Sequence, residues 1–214
     1  MPPGIETVTP RASTKKTAEP TRRVRSATPD TRERAIAEAQ RLLLKGGYHA
    51  MSLDRIARKI GVRTPSLYHH FPGGKHELFL AVVEHGTEQD GREIVAAMQR
   101  QDDSVGKLRA AAQYFATLAG HHPYHAITER RKRLPAATQR QMAEQFAERV
   151  EAPLVAVVAD AIAAGRFRPC EPVVAVRAFL MLMLSLGEFE ASDPMRRTLP
   201  DFLVDLFADG LRVR

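Results

Sequence analysis

Apolar positions recur at helical spacing along most of the chain, and the residues that interrupt them divide it into short and long helices. From Thr28 onward Ile36, Ala39, Leu43 and Leu44 trace one stripe at 3.6-residue spacing, with Thr28 or Asp30 available as a cap and Pro29 suited to a first turn. The pair Gly46-Gly47 ends this helix. Leu53, Ile56, Ala57 and Ile60 then share one face behind Ser52, a good N-cap, and Gly61 stops the second helix. Thr64 caps a third helix with Pro65 at its first position, Leu67 and Phe71 point inward from it, and Pro72-Gly73-Gly74 breaks the chain again.

Beyond that break the pattern predicts a long helix over about 75–101 and another from Ser104 to about His121, ended by Pro123. A short irregular helix over 124–133 follows, then one from Pro135 to about Ala164, kinked at Pro153. The last two helices run over about 172–190 and from Pro200 to near Arg212. No stretch shows sustained period-2 alternation, so no sheet is expected. The predicted fold is all-α, a three-helix N-terminal head over 29–74 and a larger C-terminal helical body over 75–214.

Charge sharpens this division. The chain carries a net +7, but residues 1–74 hold 14 Lys/Arg against 6 Asp/Glu, while residues 75–214 are close to balanced. The head therefore suits a polyanion, nucleic acid first and an anionic membrane surface second. Residues 1–28, rich in Pro, Ser and Thr with Lys15, Lys16, Arg22, Arg23 and Arg25, have too little apolar surface to order themselves. They read as a disordered basic segment, either a solubilising tail or an arm that follows DNA phosphate. The single Cys170 can form no internal disulfide, and the apolar run 173–186 is interrupted by Arg177 and too short for a bilayer. These features predict a cytoplasmic protein with no membrane partner.

The segment Ser52 to Phe71, SLDRIARKIGVRTPSLYHHF, has the lengths of two helices crossing steeply about a glycine turn. Its apolar residues fill the angle, leaving Arg55, Arg58 and Lys59 off the stripe of the first helix and Arg63, Thr64, Ser66, His69 and His70 around the second. A short helix with a polar N-terminal end suits the major groove, whose base edges carry an unambiguous donor and acceptor code. Arg63, Thr64, Ser66 and His69 are candidates for base edges, Tyr68 and Lys75 for phosphate. Backbone N–H groups at the helix starts near Ser52 and Lys75 add anion sites.

The run from Ala35-Ile36 to Gly47-Tyr48, then SLDRIARKIGVRTPSLYHHF, then GGKHELF, resembles the DNA-binding head of the tetracycline-repressor (TetR) family over about residues 30 to 85. The resemblance implies that Arg63, Thr64, Pro65, Ser66, Tyr68 and His69 face double-stranded operator DNA, with Lys75 on phosphate. One departure is that Lys75 follows Phe71 by four residues, where three is the more usual gap. The resemblance also implies a homodimer built on a four-helix bundle from the last two helices. It further implies a small-molecule effector inside the body, whose arrival pivots the heads through the fourth helix.

For that interface the candidates are Phe179, Leu182, Met183 and Leu186, on a helix apolar nearly all round, and Phe202, Leu206 and Phe207 on the last helix. For the effector pocket they are Tyr114, Phe115 and Leu118, then His122 and Tyr124 in the turn, with Phe146 and Val150 facing back. His121, His122 and His125 admit a metal reading, but Pro123 spoils the helix that would align them, so no metal and no cofactor is expected. The run 130–133, Arg-Arg-Lys-Arg, could meet an anionic effector such as a nucleotide-bearing thioester, or be a solvated charge cluster. The leading expectation is a transcriptional repressor released from its operator by an effector, and not an enzyme. A metal-dependent helical hydrolase and a non-specific architectural DNA-binding protein are the alternatives.

Overall fold

A computed structural model describes residues 30–118, 132, 134–189 and 193–213. The predicted basic segment 1–28, the histidine turn with His122 and Tyr124, and all of the basic run except Lys132 lie outside the described residues. Among the described residues the chain is helical, with one isolated bridge between Phe167 and Arg212 and no sheet. No described helix is long and apolar enough to cross a membrane.

The head consists of α1 (Thr31–Ala50), α2 (Leu53–Ile60) and α3 (Thr64–His70). At the predicted break Gly46 and Gly47 leave helical geometry, Gly47 with φ 65°, and one further turn follows. Inside the head, α1 contributes Ala35, Ile36, Ala39, Leu42 and Leu43 to a core shared with Ile56, Ala57, Leu67 and Phe71. The guanidinium of Arg34 donates to the Ile60 carbonyl, so α1 satisfies one of the acceptors left open at the end of α2.

The long α4 (Gly74–Met98) belongs to both cores. Leu78, Phe79, Ala81, Val82 and Val83 pack into the head, while Ile94 and Met98 pack into the body. The polar stretch 84–93 lies between these two sets, so α4 is a continuous helix that links two separate cores. The body continues with α5 (Ser104–Leu118) and α6 (Ala136–Phe146). A π-helical turn at Ala147–Glu151 leads into α7 (Ala152–Ala163). Next come α8 (Pro172–Leu184), a 3₁₀ turn at Ser185–Glu188 and α9 (Met195–Leu211).

The caps follow the local residue types. Asp103 Oδ1 accepts from the N–H groups of Val105 and Gly106, both at 2.9 Å, which fixes the start of α5. Gly165, with φ 68°, closes α7, and the Arg166 N–H reaches back to the Ala161 carbonyl at 2.9 Å as a Schellman turn requires.

In place of the kink expected at Pro153, the helix carries a π turn at Ala147–Glu151 just ahead of it. An α-helix would have residue 153 donate to the Arg149 carbonyl, and proline has no N–H to give. Two boundaries differ from the pattern. The last helix begins at Met195, so Pro200 lies inside it and does not open it. The helix predicted to reach residue 190 is α-helical only to Leu184 and then tightens into the 3₁₀ turn.

Candidate nucleic-acid interface

The α2–turn–α3 unit is built from both ends of α2. Ser52 Oγ lies 3.5 Å from the Arg55 N–H as its N-cap. At the other end Gly61 adopts φ 73° and ψ 33°, left-handed geometry that a residue with a Cβ resists, and the Val62 N–H returns to the Ala57 carbonyl at 2.9 Å. The chain can then reverse into α3. Small Ala57 and Ile56 meet Leu67 and Phe71, all at most 1% exposed, so the inner side of α3 is fixed by packing. Arg32 lies over the Phe71 ring at 5.7 Å and closes the core from above.

The outer side of α3 is polar and accessible. Arg63, Pro65, Ser66, Tyr68 and His69 are exposed, and the Tyr68 ring stands 51% in solvent although nothing prevents a tyrosine from being buried with its hydroxyl satisfied. Thr64 departs from its expected role. The N-cap of α3 is Arg63, in extended geometry, and the Thr64 hydroxyl donates to Asp54 Oδ1 on α2 at 2.8 Å. The pattern of charges off the α2 stripe did not single out Asp54, although it lies on the flank of α2 that meets the start of α3.

The glycine pair after Pro72 explains how the longer gap before Lys75 is absorbed. Gly74 takes φ 64°, its N–H bonds to the Phe71 carbonyl at 2.8 Å, and the Gly73 N–H is capped by the Glu77 carboxylate at 2.7 Å. Lys75 is thereby turned towards the end of α1. Its ammonium lies 4.5 Å above the centre of the Tyr48 ring and 3.4 Å from the His49 carbonyl oxygen. Tyr48 packs edge-on against Phe79 of α4 at 5.3 Å, so the lysine helps fasten α1 to α4.

On the α1 side of α2, Arg41, Arg55, Arg58 and Lys59 surround an open hollow of about 380 Å³ with Glu38 at its floor. Arg41 donates through both Nε (2.8 Å) and its terminal nitrogen to the Glu38 carboxylate. That hydrogen bonding, against the opposing effect of burial, holds Glu38 below its ordinary carboxylate range, and the charges of Arg41, Lys59 and Arg55 add to it. The flank of the head is consequently cationic even where it contains an acid.

The residues expected in the body separate. Tyr114 and Phe115 are half-buried against the body core and Leu118 is half-buried. Val150 is inside the core, whereas Phe146 is exposed. Phe146 and Val150 are four residues apart across the π turn, yet Val150 alone of the two enters the body core.

The interface candidates separate as well. Phe179, Met183 and Leu186 are buried within the protomer, Leu182 and Phe207 are half-buried, and Phe202 and Leu206 are exposed. The outward apolar face instead adds Val174, Met181 and Leu184 to Phe202 and Leu206. Because α8 is apolar nearly all round, with Arg177 the exception, its periodicity could not say which apolar residues turn inward.

Residues 35–82 match the model of bacterial regulatory proteins of the tetR family. HTH-type transcriptional regulator LmrA of Bacillus subtilis (strain 168) is 33% identical over 81 residues, which cover 38% of this chain and 43% of LmrA. HTH-type transcriptional activator FasR of Mycolicibacterium smegmatis is 33% identical over 92 residues, covering 43% and 42%. The matched part thus spans less than half the length of these curated relatives. The crystal structure of AibR in complex with isovaleryl coenzyme A and operator DNA shares the fold, with a TM-score of 0.66 over 83% of this chain and 97% of AibR at 21% identity. Over residues 35–82 the head of the chain is thus similar to the DNA-binding part of bacterial regulatory proteins of the tetR family.

Proposed function

We propose that this chain is a dimeric transcriptional regulator that reads operator DNA with α3 and leaves it when a small effector binds the body. The observation that carries this reading is the division of α3. Leu67 and the following Phe71 lock into the head, while Arg63, Pro65, Ser66, Tyr68 and His69 stand in solvent. A helix held in this way can enter the major groove without rearranging its own core. In this assignment Ser66 and His69 meet base edges, and Tyr68, Lys75 and the amides behind Ser52 meet phosphate. Arg41, Arg55, Arg58 and Lys59 supply the surrounding positive field.

Two copies are required because one short helix reads too few base pairs. The exposed apolar face formed by Val174, Met181, Leu184, Phe202 and Leu206 supports pairing of α8 and α9 with their counterparts in a second protomer. For the effector, AibR was solved with isovaleryl coenzyme A, which makes acyl-coenzyme A thioesters the first class to assay. Repression follows where the operator overlaps a promoter; FasR, an activator, illustrates the other outcome.

The test is binding of the full chain to the DNA upstream of its own gene and to random duplex at one salt concentration. The expected result is a footprint over an inverted repeat and a preference of about 10³-fold or more over random sequence. Equal affinity for both would overturn the regulatory reading and leave a non-specific DNA-coating protein. Stoichiometric metal together with hydrolytic activity would instead favour an enzyme.

A further inference from the structure

Among the described residues, Asp54 and Thr64 join the two helices of the reading head by a side-chain hydrogen bond at its polar surface. They are ten residues apart in sequence, Asp54 on the first turn of α2 and Thr64 at the first position of α3. Asp54 is exposed and Thr64 half-buried, so the pair is open to an approaching ligand and not a buried tie. Its chemistry is one-sided. A threonine hydroxyl has one hydrogen and two lone pairs, and here the hydrogen is committed to Asp54 Oδ1 at 2.8 Å. A carboxylate has only acceptors to offer. Together the two side chains present acceptors and no donor.

We propose that the Asp54–Thr64 pair is a specificity-determining element that selects an exocyclic amino group, adenine N6 or cytosine N4, on the contacted DNA strand. This inference rests on the regulatory reading above. In the major groove those amino groups are the hydrogen-bond donors, whereas guanine N7 and O6, adenine N7 and thymine O4 are acceptors that this pair would repel. Without Asp54 the Thr64 hydroxyl could turn its hydrogen to any of them. A carboxylate on a surface meant for a polyanion also weakens attraction to phosphate for every sequence alike. It therefore lowers general affinity while sharpening choice.

The experiment selects binding sites from a randomised duplex pool with the full wild-type chain, Asp54→Asn, Asp54→Ala, Thr64→Val and Thr64→Ser, all at one salt concentration. Thr64→Ser keeps the hydroxyl and should keep the wild-type preference. The other three should change the preferred base at one position in each half-site. Asp54→Asn and Asp54→Ala should also bind random duplex more tightly than wild type. At the position so identified, replacing the base by an analogue lacking the amino group, purine for adenine or 2-pyrimidinone for cytosine, should cost wild type about 10-fold in affinity. It should cost Asp54→Ala and Thr64→Val much less.

An unchanged base preference in all variants, or the same analogue penalty in wild type and Asp54→Ala, would overturn the proposal and reduce the bond to a tie between helices. Should Thr64→Val fail to fold, Asp54→Asn carries the same test, since an amide retains an acceptor for Thr64. A wild-type chain that selects no sequence at all would sink the regulatory reading and this proposal with it.

Discussion

Tyr114 shows how one side chain can report the packing of the body. Its hydroxyl donates to Asp90 Oδ1 at 2.9 Å, joining α5 to α4. Burial is the main reason its ionisation is pushed well above the ordinary tyrosine value, and the negative charges of Asp90 and Glu93 and the bond to Asp90 act in the same direction. The fold thus favours the neutral phenol. That contribution is complete below the unfolded value of about 10 and is lost as pH rises through the folded value. In an absorbance titration of the four tyrosines Tyr114 should ionise last, and Tyr114→Phe should remove that final phase. Its unfolding free energy should also fall less steeply than wild type above about pH 10. A titration in which the variant merely loses an ordinary tyrosine would show that the α4–α5 contact is open to water.

At the scale of elements α4 approaches the π turn closely at Gly91. A Cβ built on Gly91 would lie 2.5 Å from the Arg149 carbonyl oxygen, an acceptor already deprived of its helical donor by Pro153. Backbone cannot swing aside as a long side chain can, so Gly91→Ala should destabilise the chain by about 1–3 kcal/mol, measured by urea unfolding with an unchanged m-value. A variant as stable as wild type would mean that the two elements already stand apart. These elements also show what the amino-acid pattern could and could not convey. The head was legible because short helices announce themselves: Ser52 and Gly61 bound α2, Pro65 opens α3, and single-faced stripes point Ile56 and Leu67 inward. The outer surface of α3 followed from the same stripes. The Asp54–Thr64 bond did not, because it depends on how two helices cross. Nor did the π turn ahead of Pro153, or the inward side of α8, which is apolar nearly all round.

At the scale of the whole molecule two apolar surfaces of α8 and α9 must be told apart, one holding the protomer together and one available to a second copy. Phe179 and Phe207 pack ring to ring at 5.3 Å and Phe179 is fully buried, so Phe179→Ala should cost about 3–5 kcal/mol of protomer stability. Phe202 and Leu206 are 61% and 57% exposed, so Phe202→Glu or Leu206→Glu leaves the folded protomer little changed. In a dimer the introduced carboxylate would lie without a partner in an apolar contact, and the pairing should fail. Sedimentation should then show folded monomers at concentrations where wild type is dimeric. Operator affinity should fall by about 10²–10⁴-fold, because the second half-site is no longer delivered by the first, while binding to random duplex per protomer changes far less. Dimers that persist in both glutamate variants would place the pairing surface elsewhere. Loss of random-duplex binding in step with operator binding would mean that the heads do not act as a linked pair.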